Sequence, residues 1–243
     1  MKDAAALKQS ILAASAFVLA LWWIKLCEWM FGWDLHGLGI YPHATTGLIG
    51  IVTATLIHSS WQHLISNTLP LLVLGSTLLY GYPKSRWQAL LLIWLLSGVG
   101  VWLFARESYH IGASGLTHGM FFFLFVGGLL RRDKRSVGLL MLAFFMYGTM
   151  LLTIFPSEPG ISFEYHFFGA VAGSLAAVVL HRRDPKPAVK IYSWERRNDE
   201  GELIEEEDPI IGDQWMREED RQALHKQLEE AQNDLHEPQQ LPK

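Results

Sequence analysis

Two side chains that can cooperate in acyl transfer stand at the starts of two apolar stretches of the sequence. Ser114 follows Gly112 and Ala113 and opens one stretch, and His166 opens the last. A serine hydroxyl becomes a strong nucleophile only when a neighbouring base takes its proton, and histidine is the usual base at neutral pH. We therefore interpret Ser114 as a nucleophile and His166 as its general base. Glu164 lies two residues from His166, on another face of a helix, which favours a dyad over a triad.

Acyl transfer also needs hydrogen-bond donors aimed at the oxyanion that develops on the attacked carbonyl. His63 and Asn67 lie four residues apart and therefore share one helix face. The backbone N–H of Ser114 is a further donor, because the first turn of a helix leaves its N–H groups unsatisfied. We predict these three donors as the candidate oxyanion hole.

Two more histidines lie close to these residues in the sequence. His118 follows Ser114 by four residues, and it either lines the site or packs between helices. His58 and His63 are five residues apart, a spacing that places them poorly on a common helix face for binding a metal. No cysteine or acidic residue accompanies them, so we expect neither a metal nor another cofactor.

The elements that must position these side chains are apolar stretches long enough to cross a membrane, which takes roughly 20 residues. Six such stretches are predicted: 11–31, 61–80, 86–105, 114–130, 137–155 and 165–181. The first is too long for a typical signal-peptide core, so we interpret it as a spanning helix. The run 47–57 is too short to cross and is either re-entrant or interfacial.

Four glycines indicate which of these helices meet. Gly115 and Gly119 lie in the fourth stretch, and Gly169 and Gly173 lie in the sixth. Small residues four apart let two helix backbones approach closely in a membrane. We therefore predict that the fourth and sixth helices pack together and bring the candidate dyad together.

Charge divides the chain into two parts. Of the 24 acidic residues 16 follow residue 190, whereas 14 of the 20 Lys and Arg residues lie within residues 1–190. Twelve of those 14 fall on the side of the membrane that holds the N-terminus, which predicts a cytoplasmic N-terminus. We expect a six-helix membrane domain at 1–187 and an acidic cytoplasmic tail at 188–243, composed of a linker and a short amphipathic helix.

These residues resemble three signatures of the rhomboid family of intramembrane proteases. His58, His63 and Asn67 are similar to its second-helix pattern, and Gly112 to Gly115 is similar to its Gly-x-Ser-Gly nucleophile motif. His166, Gly169 and Gly173 resemble its last-helix pattern. The resemblance covers about residues 36–183, with the three segments in the family's order.

The resemblance implies an all-α integral membrane protein, with a six-transmembrane-helix bundle around a water-accessible cavity open to the outside. The charge pattern adds a soluble C-terminal tail to this bundle. It assigns Ser114 and His166 as the dyad, and His63, Asn67 and the Ser114 N–H as the oxyanion hole. The residues placed in support of the site are His58, Gly112, Gly115, His118, Gly169 and Gly173. The substrates implied are single-pass membrane proteins with small residues at the cut and helix-destabilising residues nearby. We expect the protein itself to contact membrane lipid, and we expect no nucleic-acid partner.

The expected location is a bacterial cytoplasmic membrane, with both termini cytoplasmic and the active site open to the outside. One residue departs from the family pattern, because His118 stands where many members carry a tyrosine that packs on the catalytic imidazole. A second ring in that place can stack on His166 or compete as a hydrogen-bond partner. The alternative function is an inactive relative that binds membrane clients without cutting them, although such relatives usually lack the serine or the histidine.

Overall fold

A computed structural model describes residues 2–156, 162–186, 221–223 and 226 of the chain. Contacts divide the chain into two units, Met1–Pro187 and Ala188–Lys243, and the helices discussed below belong to the first. The described residues form helices and connections without a named strand. Residues 221–223 and 226 are helical, and the rest of the predicted tail lies outside the described residues.

Six helices of more than ten residues follow one another in the described part of the first unit. They are α1 (Lys2–Phe31), α2 (Trp61–Gly81), α3 (Arg86–Phe104), α4 (Ser114–Arg131), α5 (Lys134–Tyr147) and α6 (Phe163–Leu180). All but α5 are long and apolar enough to cross a membrane, so five of the six predicted spans are found.

The fifth predicted span, 137–155, is shorter as a helix than the sequence indicates. Helix α5 has 14 residues and is followed by a 3₁₀ turn over Gly148–Leu151. Tyr147 leaves helical geometry, with φ −134° and ψ 21°. Gly148 then lowers the local helix propensity, and the chain tightens into the shorter repeat. The apolar composition of 148–155 therefore belongs to a connection and not to a continuous helix.

Helix α4 is the most buried of the five long apolar helices, and it packs most extensively on α6. A Cβ atom on Gly169 would overlap the backbone carbonyl of Gly115, and one on Gly173 would overlap that of Gly119. The two backbones therefore approach as closely as only glycine allows, which confirms the contact predicted from the glycine spacing.

The connection between α1 and α2 packs against α3 and the start of α4. Its apolar run forms short helical turns within Thr45–Leu56, so it does not cross the membrane as one helix, as predicted. Ile40 and His110 exchange two backbone hydrogen bonds of 3.0 and 2.9 Å. The Trp102 indole donates to the Ala44 carbonyl at 2.9 Å. These contacts hold the connection beside the turn that leads into α4.

A buried arginine fixes the opposite end of α4. Arg131 is 5% exposed, and its guanidinium donates to the Asp133 carboxylate at 3.0 Å and to the carbonyls of His181 and Asp184 at 2.7 and 2.8 Å. The Asp184 carboxylate accepts the backbone N–H of Lys84 at 2.7 Å. A buried charge is tolerated when it is paired and hydrogen-bonded in this way. The cluster ties the end of α4 to the chain that follows α6.

Candidate active site

Ser114 is the first residue of α4, and the turn before it depends on a glycine. Gly112 has φ +113°, a conformation that side chains rarely adopt, and its N–H donates to the Ala54 carbonyl at 2.9 Å. A Cβ atom there would lie 2.5 Å from Cε1 of His63. Glycine therefore lets the turn that carries Ser114 lie directly against the His63 imidazole.

His58 supports the same turn from the other side. Its Nε2 accepts the backbone N–H of Ala113 at 3.4 Å, and its ring meets that of His63 edge-on with centroids 5.1 Å apart. Lys25 donates to the His58 carbonyl and to Glu28, both at 2.8 Å. Burial, aided by the nearby charges of His63 and Lys25, lowers the pKa of His58 to about 3. A neutral His58 can accept the Ala113 N–H at neutral pH.

The two side chains predicted to donate to the oxyanion, His63 and Asn67, share one face of α2. Nδ1 of His63 lies 3.2 Å from the Ser59 hydroxyl. Asn67, one turn further along, is 5% exposed, and its side-chain amide donates one N–H to the His63 carbonyl at 3.0 Å. An amide nitrogen carries two hydrogens, and the second N–H of Asn67 has no acceptor among the described residues.

His118 both stacks and makes hydrogen bonds. Its ring lies parallel to that of His166, with centroids 4.0 Å apart and an interplanar angle of 9°. Nδ1 of His118 donates to the Ser114 carbonyl at 2.7 Å, and Nε2 lies 2.8 Å from the Thr153 hydroxyl. His118 therefore stacks on His166 and does not compete as its hydrogen-bond partner, because the hydrogen bonds of His118 go to Ser114 and Thr153.

His166 is held by a residue that the sequence did not single out. Its Nδ1 lies 3.0 Å from the backbone carbonyl of Thr153. A carbonyl only accepts, so Nδ1 carries the hydrogen, and in the neutral ring Nε2 has the lone pair. That tautomer leaves Nε2 as the nitrogen able to accept a proton.

The start of α6 is fixed by contacts that leave His166 without an acidic partner among the described residues. The Glu164 carboxylate pairs with Arg106 at 3.1 Å. Ser162 caps α6, and its hydroxyl lies 2.6 Å from Nδ1 of His110. The position of Glu164 agrees with the prediction that this carboxylate does not orient His166.

Ser114 and His166 are connected through His118, which is hydrogen-bonded to the first and stacked on the second. Within the described residues no hydrogen bond joins the Ser114 hydroxyl to His166, and the connection runs from the Ser114 carbonyl to the stacked pair of rings. Catalytic hydrogen bonds are often long without substrate and tighten when it binds. The arrangement brings a hydroxyl, an oriented imidazole and several N–H donors to one end of α4, which are the components of acyl-transfer chemistry.

The chain is similar to a known protein family and to individual bacterial proteins. The sequence model of the rhomboid domain matches residues 45–183. An uncharacterized protein of Mycobacterium tuberculosis is 39% identical over 180 residues, which cover 70% of this chain and 75% of the relative. An uncharacterized protein of Mycobacterium leprae is 35% identical over 181 residues, with 70% and 71% covered.

Proposed function

The chain belongs to the rhomboid family, and on that premise we propose that it is an intramembrane serine endopeptidase that cleaves single-pass membrane proteins. Membership of this family, together with five long apolar helices, makes the chain a multi-pass membrane protein. The observation that best supports the proposed activity is the contact chain from Ser114 through His118 to His166.

The proposed reaction uses Ser114 as nucleophile and His166 as base. The Ser114 oxygen attacks the scissile carbonyl carbon while Nε2 of His166 takes the hydroxyl proton. The C–N bond then breaks, and His166 returns that proton to the leaving amine. An acyl ester on Ser114 remains. Water, activated by His166, hydrolyses the ester and regenerates the hydroxyl.

The proposed oxyanion hole combines the backbone N–H of Ser114 with side-chain donors from His63 and Asn67. The close contact of Gly112 with the His63 ring and the spare N–H of Asn67 support this assignment. Such donors act strongly because they are fixed before the charge develops and little water screens them.

The membrane arrangement completes the proposal. We place α5 and the turn Gly148–Leu151 as a sixth crossing, with the N-terminus cytoplasmic and Ser114 near the outer side of a bacterial cytoplasmic membrane. We propose that the membrane domain ends near residue 187 and that the acidic tail is cytoplasmic. The proposed substrates have small residues at the cut and helix-destabilising residues nearby, which expose the scissile bond.

Loss of the nucleophile tests the function. Purified wild-type protein should cleave a generic single-pass reporter, and Ser114→Ala should reduce the rate to background, because the proposed acyl ester forms on the Ser114 oxygen. Initial rates in detergent measure the effect. Ser174→Ala is the matched control, because the Ser174 hydroxyl donates to the Ala170 carbonyl of its own helix at 2.8 Å. Substantial cleavage by Ser114→Ala would contradict a serine mechanism, and an inactive wild type that binds reporter would favour the client-binding alternative.

Asn67→Ala should lower kcat by about 10-fold or more with little change in KM, because an oxyanion donor acts mainly in the transition state. One such donor typically contributes about 2.7–4 kcal/mol, and the two remaining donors soften its loss. Steady-state kinetics on the reporter check this. Gln62→Ala removes an exposed amide from the start of the same helix and should leave kcat unchanged. An Asn67→Ala protein with the wild-type kcat would limit Asn67 to a structural role.

A further inference from the structure

We propose that Thr153 is a positioning residue that holds both histidines of the stacked pair, an inference that rests on the proposed function. The Thr153 hydroxyl lies 2.8 Å from Nε2 of His118, and its backbone carbonyl lies 3.0 Å from Nδ1 of His166. One residue of the connection between α5 and α6 thus contacts both rings. Its own N–H donates to the Thr149 carbonyl at 3.3 Å, which anchors it to the preceding turn.

The backbone carbonyls of Ser114 and Thr153 determine which ring nitrogens of His118 and His166 carry a hydrogen. Nδ1 of His118 faces the Ser114 carbonyl, so it carries a hydrogen, and Nε2 of the neutral ring accepts from the Thr153 hydroxyl. Nδ1 of His166 faces the Thr153 carbonyl, so it also carries a hydrogen. Of the four ring nitrogens, Nε2 of His166 is the one left with a lone pair that neither Ser114 nor Thr153 uses. Thr153 therefore selects the tautomer that a general base needs.

The same contacts set the orientation of the two rings. Stacking with the ring centroids 4.0 Å apart is compatible with a 180° flip of each imidazole about its Cβ–Cγ bond, which would exchange the ring nitrogens with ring carbons. The Ser114 carbonyl and the Thr153 hydroxyl together oppose this flip for His118, and the Thr153 carbonyl opposes it for His166. The hydroxyl also lies 3.4 Å from the Met150 carbonyl, a longer and weaker contact than the one to His118. The closer contact makes His118 the partner of this hydroxyl.

Thr153→Val removes the hydroxyl and keeps the shape and the backbone carbonyl. We expect kcat for reporter cleavage to fall about 10- to 100-fold with KM unchanged, because a displacement of about 1 Å at a catalytic group can cost on the order of 100-fold. Thr153→Ser should restore most of the rate. Thr149→Val is the matched control, because this exposed threonine lies four residues earlier on the same connection. Wild-type kcat in Thr153→Val would overturn the inference.

A double-mutant cycle separates positioning from a general loss of stability. His118→Phe keeps an aromatic ring but has no nitrogen for Thr153 to hold. In that background Thr153→Val should change kcat by less than about twofold, because its partner is already absent. An equal loss of rate in both backgrounds would show that Thr153 acts elsewhere and would overturn the inference.

A readout that needs no activity keeps this inference separate from the proposed function. NMR of the protein labelled with ¹⁵N-histidine should show His166 protonated at Nδ1 and unprotonated at Nε2, with its signals identified by their loss in His166→Asn. Thr153→Val should shift the Nε2 signal of His118. A wild-type protein with these signals that cleaves no reporter would contradict the proposed function and support the positioning contact. A proton on Nε2 of His166 in the wild type would overturn the positioning role.

Discussion

His166→Ala should reduce reporter cleavage at least about 1,000-fold, as Ser114→Ala should. Without the imidazole, no base takes the serine proton and no acid protonates the leaving amine. The double variant Ser114→Ala/His166→Ala should be no slower than either single variant, because the two residues act as one unit. Initial rates of all three proteins on one reporter measure this.

His181→Ala is the control for loss of a histidine. His181 follows α6 at the end away from His166, and its Nδ1 lies 2.7 Å from the Val178 carbonyl. This variant should cleave at the wild-type rate. Independent roles for Ser114 and His166 would show as a double variant slower than either single one by the product of their effects.

Gly173→Val should lower stability and abolish activity together. The added side chain would occupy the position of the Gly119 backbone carbonyl, and a helix backbone cannot move aside as a flexible side chain can. Overpacking of a core typically costs about 1–3 kcal/mol, and we expect the upper end or more here. Separation of α4 from α6 would also move His166 away from Ser114. Thermal unfolding in detergent and reporter cleavage measure the two effects.

Gly138→Val is the matched control for this substitution. Gly138 lies in α5, where a Cβ atom would meet nothing within 4 Å. The control should retain the stability and cleavage rate of the wild type. A Gly173→Val protein as stable and as active as the control would contradict the role of the close α4–α6 contact.

The sequence predicts much of the fold because apolar length and glycine spacing reflect physical limits on membrane helices. The contact of α4 with α6 follows from Gly115, Gly119, Gly169 and Gly173, since no other residue permits such an approach. The end of α5 was not predictable in the same way. Composition continues apolar beyond Tyr147, whereas the helix ends through a backbone change there.

The sequence reveals the parts of the candidate site that depend on side-chain chemistry. It does not reveal the contacts that backbone groups make. Ser114, His166, His63 and Asn67 are polar residues at positions that are expensive in a membrane, so the sequence singles them out. Thr153 lies 13 residues before His166 and holds it through a carbonyl, a group that every residue has. Only the path of the chain after α5 shows which carbonyl meets the ring. The signal for Thr153 in the sequence is that it is a polar residue within the predicted fifth span, 137–155.

Covalent labelling of Ser114 tests the central claim most directly. A fluorophosphonate probe reacts with an activated serine, whose oxygen forms a bond to phosphorus as fluoride leaves. Peptide mass spectrometry of labelled wild-type protein should place the adduct on Ser114, and His166→Ala should label at a rate at least about 100-fold lower, because the serine is then not activated. An adduct on a different residue, or labelling of Ser114 at the same rate without His166, would contradict a Ser114–His166 dyad.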